Sequence, residues 1–228
     1  MLFDYGLTLV TFSFPRDDLL VAMSKMRPLL DSAAPGPEQL VDGVLADADR
    51  RLGELEGTLD EVDYLDFFDQ AWRRAGLVLS RETLYRILDE EQRCWDRAAR
   101  PAPDALSTLE ELRRRGLRTA VCSNAPFPPE MIRRQMSGLG IAQRVDAITL
   151  SAEVGRRKPA PELYLASLER LGVPPARALF VGDRRTEDFD GPRAVGMDAV
   201  LCTALTGTGV APGMPSIPTL AAVLELVP

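Results

Sequence analysis

The chain opens MLFDYGLTLV, in which a carboxylate, Asp4, directly follows a short apolar run. A second carboxylate, Asp183, follows the apolar run LFVG, and Lys158 lies in the polar segment SAEVGRRKPAPELY. Two carboxylates brought close together repel, and a divalent cation is one way to neutralise them. A carboxylate beside such a cation can attack phosphorus and form an aspartyl-phosphate, which water later opens. Asp4 is therefore a candidate nucleophile, and Asp4 and Asp183 are candidate metal ligands.

The charge on a phosphoryl group needs fixed hydrogen-bond donors around it. The hydroxyls of Thr8 and Ser123, the amide of Asn124 and the ammonium of Lys158 are donors of the right kind, and Lys158 is the strongest electrostatic candidate. Asp188, at the head of the following helix, is placed to orient either a metal-bound water or the lysine. Each residue alone also fits an ordinary role as a turn former, helix cap or solvated charge.

The chain contains no histidine. This excludes a Ser-His-Asp triad, a phosphohistidine intermediate and an imidazole metal site. Any bound metal must be held by oxygen ligands, which favours Mg²⁺ over zinc. The three cysteines, Cys94, Cys122 and Cys202, are far apart and lack metal-site spacing, so we expect buried, reduced thiols.

Strand and helix patterns alternate from Pro101 to the end of the chain. This alternation predicts an α/β fold, a Rossmann-like parallel sheet with helices on both faces. Ligands of such sheets bind at the carboxyl ends of the strands, where Asp4, Ser123 and Asp183 are expected. We expect residues 1–14 and 101–228 to form this core domain, with residues 15–100 inserted as a second, all-helical domain.

The inserted segment contains several helical patterns, including one that opens at a possible Thr58 cap and one that starts at Ser80. It also carries the excess negative charge, because residues 15–100 hold 19 acidic and 12 basic residues and the remainder holds 15 of each. A surface of this charge repels nucleic acid. Neither a membrane span nor a signal peptide is apparent, so we expect a cytoplasmic protein, monomeric or homodimeric, acting on a small phosphorylated molecule.

Taken together, these motifs resemble those of the haloacid dehalogenase superfamily of hydrolases, and the resemblance covers almost the entire chain. The matching features, in order, are Asp4-x-x-x-Thr8, the strand ending in Ser123-Asn124, the segment around Lys158, and LFVGDRRTEDFDGPRAVGM. The helical insert lies where that family has its C1 cap. The resemblance implies that Asp4 is the nucleophile, Ser123 and Lys158 bind phosphate, and Asp183 binds the metal. Asp188 is a supporting acid that we include with Asp4 and Asp183 in the predicted metal site.

The first motif departs from the family pattern. Family phosphatases usually read Asp-x-Asp-Gly-Thr, and their second Asp protonates the leaving alcohol and then activates water. Here that position is Gly6, and the usual glycine is Leu7. A general acid or base contributes roughly 10²- to 10⁴-fold in rate. The resemblance still implies metal binding at Gly6, because the family uses the backbone carbonyl there.

Three functions are compatible with this pattern. The preferred one is a Mg²⁺-dependent phosphatase that relies on good leaving groups, water or the substrate itself for its proton. The second is a 2-haloacid dehalogenase, because a halide leaves without a proton, although Asp183 would then have no metal to bind. The third is a non-catalytic protein that uses the phosphate pocket only for binding.

Overall fold

The computed structural model describes residues 1–32, 34–55, 57–207, 211 and 213–227. The chain divides into two compact units. The first, called here the sheet unit, comprises Met1–Phe12, Leu59–Glu61 and Ala99–Pro228, and the second, the helical unit, comprises Ser13–Thr58 and Val62–Ala98. The sequence-based division placed residues 59–61 in the helical insert, whereas the structure groups them with the sheet unit.

A parallel sheet of six strands forms the centre of the sheet unit. In chain order the strands of the unit are β1 (Leu2–Phe3), β2 (Val10–Thr11), β3 (Arg100–Pro101), β4 (Ala120–Ser123), β5 (Ala147–Leu150), β6 (Leu179–Gly182), β7 (Asp198–Cys202) and β8 (Ser216–Ile217). The order across the sheet is β5-β4-β1-β6-β7-β8, and every neighbouring pair is parallel. Strands β2 and β3 form a separate antiparallel pair. The predicted α/β, Rossmann-like fold is confirmed.

Successive side chains of a strand point to opposite faces of the sheet, and both faces are covered here. In β1, Leu2 joins one buried apolar cluster and Phe3 joins another, and both side chains are fully buried. Val121 and Val181, from the two neighbouring strands, belong to the cluster of Phe3. Strands buried on both faces need continuous apolar runs, which is why the central strands are apolar up to their carboxyl ends.

Helices connect the strands and cover the sheet. The longer ones in the sheet unit are Ala105–Arg114, Pro129–Gly138 and Pro161–Leu171, and the shorter ones are Ser151–Val154, Pro175–Arg177, Arg185–Asp190, Gly191–Ala194 and Leu220–Glu225. Proline occupies the first turn of several of them, where its missing N–H has no intrahelical partner to lose. The last strand, β8, is only two residues long.

The helical unit is built from amphipathic helices. Its elements are Arg16–Met26, Arg27–Leu29, the continuous run Pro37–Gln39, Leu40–Leu45 and Ala46–Gly53, then Tyr64–Arg74 and Arg81–Ala98. In Tyr64–Arg74 the residues spaced three and four apart, such as Phe68 and Trp72, are buried. These aromatic side chains are part of the core of the unit.

One predicted helix start is wrong and another is confirmed. The helix expected to open at Thr58 begins at Tyr64 and is capped by Asp63, whose carboxylate accepts hydrogen bonds from the backbone N–H groups of Leu65 and Asp66. An aspartate satisfies these free N–H groups as well as a threonine does, so tertiary context decided between them. Ser80 caps the helix Arg81–Ala98, because its hydroxyl accepts from a first-turn N–H at 3.1 Å.

All three cysteines are buried and free, as the sequence led us to expect. Within the described residues, no helix combines the length and apolar character needed to cross a membrane.

Candidate active site

Three predicted site residues meet at the carboxyl ends of neighbouring strands. Strand β1 lies between β4 and β6, so Asp4 after β1 has Ser123 at the end of β4 on one side and Asp183 after β6 on the other. The backbone N–H of Asp4 donates to the carbonyl oxygen of Val181 at 2.9 Å, which extends the pairing to the strand ends. The structure therefore brings Asp4, Asp183 and Ser123 to one edge of the sheet.

Lys158 reaches this edge from the loop that follows Ser151–Val154. Its ammonium Nζ donates to Asp4 Oδ1 at 2.7 Å and to Asp188 Oδ1 at 2.6 Å, and its side chain is only 1% exposed. The same ammonium lies 5.1 Å from the centroid of the Phe180 ring. A buried ammonium needs such partners, because an isolated charge is costly to remove from water. Lys158 is thus fixed between two carboxylates.

Asp188 uses both of its oxygens. Oδ1 accepts from Lys158, while Oδ2 accepts from the backbone N–H groups of Asp183 and Arg184 at 3.1 and 2.9 Å. A Cβ atom placed on Gly182 would lie 2.3 Å from the Asp188 carboxyl carbon, so only glycine allows this approach. Of the two sequence-based hypotheses for Asp188, this geometry favours orientation of the lysine.

Asn124 holds the backbone of Lys158. The Asn124 amide donates from Nδ2 to the Lys158 carbonyl at 3.1 Å, and its Oδ1 accepts from the Lys158 N–H at 2.7 Å. Nearby, the hydroxyl of Ser151 accepts from the backbone N–H of Ala125 at 2.7 Å. Sequence reasoning did not single out Ser151 or Gly182, although both lie within motifs that it used. A polar side chain directly after an apolar strand was the available signal for Ser151.

The loop after β1 contains the other predicted residues. Thr8 is buried, and its Oγ1 has no hydrogen-bond partner among the residues described. Gly6 pairs with Val10 through hydrogen bonds that use the Leu7 N–H and the Tyr5 carbonyl, so this bridge does not occupy the Gly6 carbonyl oxygen. An orphaned buried hydroxyl is costly, and a ligand that accepts its hydrogen bond would remove that cost.

Two details of this loop bear on the missing carboxylate. Leu7 has a φ of 58°, in the left-handed region that glycine tolerates best, and its side chain is exposed. A Cβ atom placed on Gly6 would have Phe12 Cε2 as its nearest neighbour, at 3.5 Å, which is an ordinary contact. The fold therefore has room for a Cβ atom at Gly6.

Burial and mutual charge set the ionisation of the carboxylates. Burial raises the pKa of Asp4 to about 7, with the Lys158 ammonium opposing the shift and the Asp188 carboxylate adding to it. Burial and Asp188 likewise raise the pKa of Asp183 to about 6. Burial alone would lower the pKa of Lys158, but the carboxylates of Asp188 and Asp4 raise it well above its ordinary value. Lys158 is therefore charged at neutral pH.

Three carboxylates of the site offer ligand oxygens that lie within 4.8 Å of one another, namely those of Asp4, Asp183 and Asp188. An all-oxygen set of this kind suits a hard cation such as Mg²⁺. Because both Asp188 oxygens already accept hydrogen bonds, Asp4 Oδ2 and the Asp183 carboxylate are the better donors to a cation.

Comparison with known proteins identifies the family of this chain. Residues 33–196 match the family model of the haloacid dehalogenase-like hydrolases. Over 98 residues the chain is 39% identical to a phosphoserine phosphatase of Thermus thermophilus, a match that covers 43% of this chain and 39% of that protein. A second relative, a phosphoglycolate phosphatase of Rhodospirillum rubrum, is 37% identical over 99 residues, 43% of this chain and 40% of its own length. The matched region thus spans about two fifths of these relatives.

Solved structures resemble the chain over nearly its whole length. A HAD phosphatase from Thermococcus onnurineus superposes with a TM-score of 0.67 at 22% identity, covering 99% of this chain and 95% of that one. A 2-haloacid dehalogenase from Pseudomonas syringae superposes with a TM-score of 0.69 at 20% identity, covering 99% and 96%. At these identities the likeness establishes the fold. The family match over residues 33–196, more than half of the chain, shows that the chain belongs to the haloacid dehalogenase-like hydrolases.

Proposed function

We propose that the protein is a Mg²⁺-dependent phosphatase that hydrolyses a small phosphomonoester through an aspartyl-phosphate on Asp4. The observation that carries this proposal is the buried cluster in which the Lys158 ammonium bridges Asp4 and Asp188 beside Asp183. The relatives named as phosphatases support the choice of phosphate esters as the substrate class. The proposal includes a cap role for residues 15–100, most of which form a compact unit of their own.

The residues present suit Mg²⁺. Asp4 and Asp183 would hold it by their carboxylates, and the Gly6 carbonyl oxygen is the proposed third protein ligand. Bound there, the ion would offset the repulsion between the carboxylates and polarise the phosphoryl group. Asp188 completes the acidic set mainly by fixing Lys158.

The chain's own residues then account for the reaction. An oxygen of the Asp4 carboxylate attacks phosphorus, and the bond from phosphorus to the ester oxygen breaks. Lys158, Ser123 and Thr8 offset the charge on the phosphoryl oxygens, and the unpartnered Thr8 hydroxyl is suited to that task. Water then opens the aspartyl-phosphate, which releases phosphate and restores Asp4. Asn124 acts in this scheme by holding the Lys158 backbone.

The departing oxygen has no side-chain proton donor at Gly6. The leaving group must then take its proton from water or carry the negative charge itself. We therefore expect kcat/KM to depend steeply on the leaving-group pKa, with nitrophenyl esters hydrolysed much faster than alkyl esters.

The main test is turnover of 4-nitrophenyl phosphate with Mg²⁺ and with EDTA. Asp4→Asn should abolish turnover, whereas Asp198→Asn, at an exposed aspartate that begins β7, should leave it unchanged. EDTA should abolish turnover as well. Turnover that persists in Asp4→Asn or in EDTA would exclude the proposed mechanism.

The role of Gly6 has its own test. The Cβ atom of Gly6→Asp would make an ordinary contact with Phe12, and the variant should raise kcat/KM for alkyl phosphates by at most roughly 10²- to 10⁴-fold, with little gain for nitrophenyl phosphate. If the chemical step is rate-limiting and wild-type rates do not vary with the leaving group, another acid must supply the proton.

A 2-haloacid dehalogenase is the second candidate, and one observation favours it. Gly6 lacks a proton donor, which halide release does not need. Release of chloride from 2-chloropropionate in EDTA, without phosphate release in Mg²⁺, would support the dehalogenase and exclude the phosphatase.

A further inference from the structure

A second buried ion pair lies one residue before Lys158. The Arg157 guanidinium donates from Nη1 to both carboxylate oxygens of Glu61, at 2.9 and 3.1 Å. The side chains are 8% and 2% exposed, and both residues belong to the sheet unit. Burying such a pair costs desolvation energy that apolar side chains would not cost. The pair is therefore better explained by a specific geometric role than by stability.

The backbones of the same two segments are also joined. The Glu61 N–H donates to the Gly155 carbonyl at 3.0 Å, and the Arg157 N–H donates to the Leu59 carbonyl at 2.9 Å. The central residues of the segments, Asp60 and Arg156, form an antiparallel bridge. Residues 59–61 thus hold residues 155–157 through main-chain and side-chain contacts at once.

The segment held in this way leads directly into Lys158. From there the Asn124 amide fixes the Lys158 peptide, and the side chain extends to Asp4 and Asp188. A lysine side chain has a flexible four-carbon stem and loses rotamer entropy when it is fixed. A rigid backbone at its base keeps the ammonium at the position that both carboxylates require.

We infer that Glu61 is a positioning residue for Lys158, acting through Arg157. The inference deepens the proposed function, on which it rests, because it takes Lys158 as the group that stabilises the transferring phosphoryl. Without the Glu61 carboxylate, the Arg157 guanidinium is a buried charge lacking its partner, and the loop must move to expose it. The ammonium of Lys158 then loses its fixed position.

The activity test compares neighbouring ion pairs on the same bridge. Glu61→Gln should lower kcat for 4-nitrophenyl phosphate by about 10- to 100-fold, because small displacements of a catalytic group have effects of that size. Asp60→Asn removes the exposed ion pair with Arg156 and should change kcat less than about twofold. Equal losses in the two variants, or no loss in Glu61→Gln, would overturn the inference.

A double variant separates positioning from stability. Glu61→Leu with Arg157→Leu replaces the buried charges by apolar groups, which is often neutral or stabilising. We expect normal stability with kcat still reduced. Recovery of kcat together with stability would show that the pair only supports the fold, and would overturn the inference.

A spectroscopic test does not depend on phosphatase activity. The chain has only two lysines, Lys25 and Lys158, and Lys25 is exposed. In protein labelled with ¹⁵N-lysine, the buried Lys158 ammonium should give a protected signal, which Lys158→Met removes. Glu61→Gln should broaden or abolish this signal, and Asp60→Asn should preserve it.

The outcomes of the two tests are distinct. If the signal responds as expected but no variant hydrolyses a phosphate ester, the positioning role holds and the proposed function fails. If turnover depends on Asp4 and Mg²⁺ while the Lys158 signal and kcat are unchanged in Glu61→Gln, the proposed function holds and the positioning role is wrong.

Discussion

Each unit of the molecule buries a carboxyl group, and the surroundings of the two groups differ. In the sheet unit, Asp4 accepts a hydrogen bond from the Lys158 ammonium, and burial raises its pKa to about 7. In the helical unit, burial raises the pKa of Glu91 to about 8, opposed by a hydrogen bond from Trp95. Its Oε2 atom has no hydrogen-bond partner among the described residues.

The difference shows what a nearby cation does for a buried acid. Glu91 is held mainly in its neutral form at neutral pH, because burial penalises its charged form and Trp95 offers only a neutral donor. Asp4 lies beside a charged lysine, so ionisation is easier there despite comparable burial, and an ionised carboxylate is what metal binding and nucleophilic attack require. The Glu91 site is therefore suited to packing in the neutral form, whereas the Asp4 site is suited to chemistry.

Removing the Lys158 ammonium should have the largest effect on the difference between the Asp4 and Glu91 sites. Lys158→Met leaves Asp4 and Asp188 buried without a positive partner, so turnover should fall at least 10²- to 10³-fold. The free energy of unfolding at pH 8 should fall by about 3 to 5 kcal/mol, and by less at pH 5, where Asp4, whose pKa burial raises to about 7, takes up a proton. Urea denaturation at both pH values measures this. Lys25→Met, at an exposed lysine, is the control, and a loss independent of pH would contradict the electrostatic account.

The helical unit offers the complementary test. Between the ordinary carboxyl pKa of Glu91 in the unfolded chain, about 4.5, and its folded pKa of about 8, the unfolded chain has released a proton that the folded chain keeps. Stability must therefore fall as pH rises through this range, by up to about 1.4 kcal/mol per pH unit from this residue. Glu91→Gln should remove this part of the pH dependence. The stability of the variant relative to wild type should therefore be higher at pH 8 than at pH 5.

Unfolding in that experiment can be followed by tryptophan fluorescence, because Trp72 and Trp95 both lie in the helical unit. Glu82→Gln, at an exposed glutamate of the same helix, is the matched control and should leave the pH dependence unchanged. An identical pH dependence in wild type and Glu91→Gln would mean that Glu91 ionises normally in the folded protein.

A smaller difference between the two units should be seen in how far Mg²⁺ stabilises each of them against unfolding. Mg²⁺ at a hundredfold excess over its Kd should stabilise the sheet unit by about 2.7 kcal/mol. The shift should be larger at pH 8 than at pH 5.5, because Asp4 and Asp183, with pKa values of about 7 and 6, must lose protons to bind the ion. Thermal unfolding with and without Mg²⁺ measures it. Asp183→Asn should abolish the shift, and Asp198→Asn should keep it.

The sequence alone determined the fold class and the strand ends at which the candidate site lies. Alternating apolar and helical patterns from Pro101 onward specify strands buried on both faces, and the polar residues after them can only lie at the sheet edge. The absence of histidine excluded imidazole metal ligands whatever the fold, and the wide spacing of the three cysteines favoured oxygen ligands. These conclusions depend on local pattern and composition, which a single sequence displays directly.

The tertiary structure decided which groups touch. The local sequence does not show that Lys158 donates to one Asp188 oxygen and that the backbone N–H groups after Gly182 donate to the other. These partners come together only when the strands align. The same is true of Glu61, which meets Arg157 across 96 positions of sequence. Pairings between distant segments depend on loop closure and on the packing of the whole chain. Residue spacing in the sequence therefore does not predict them.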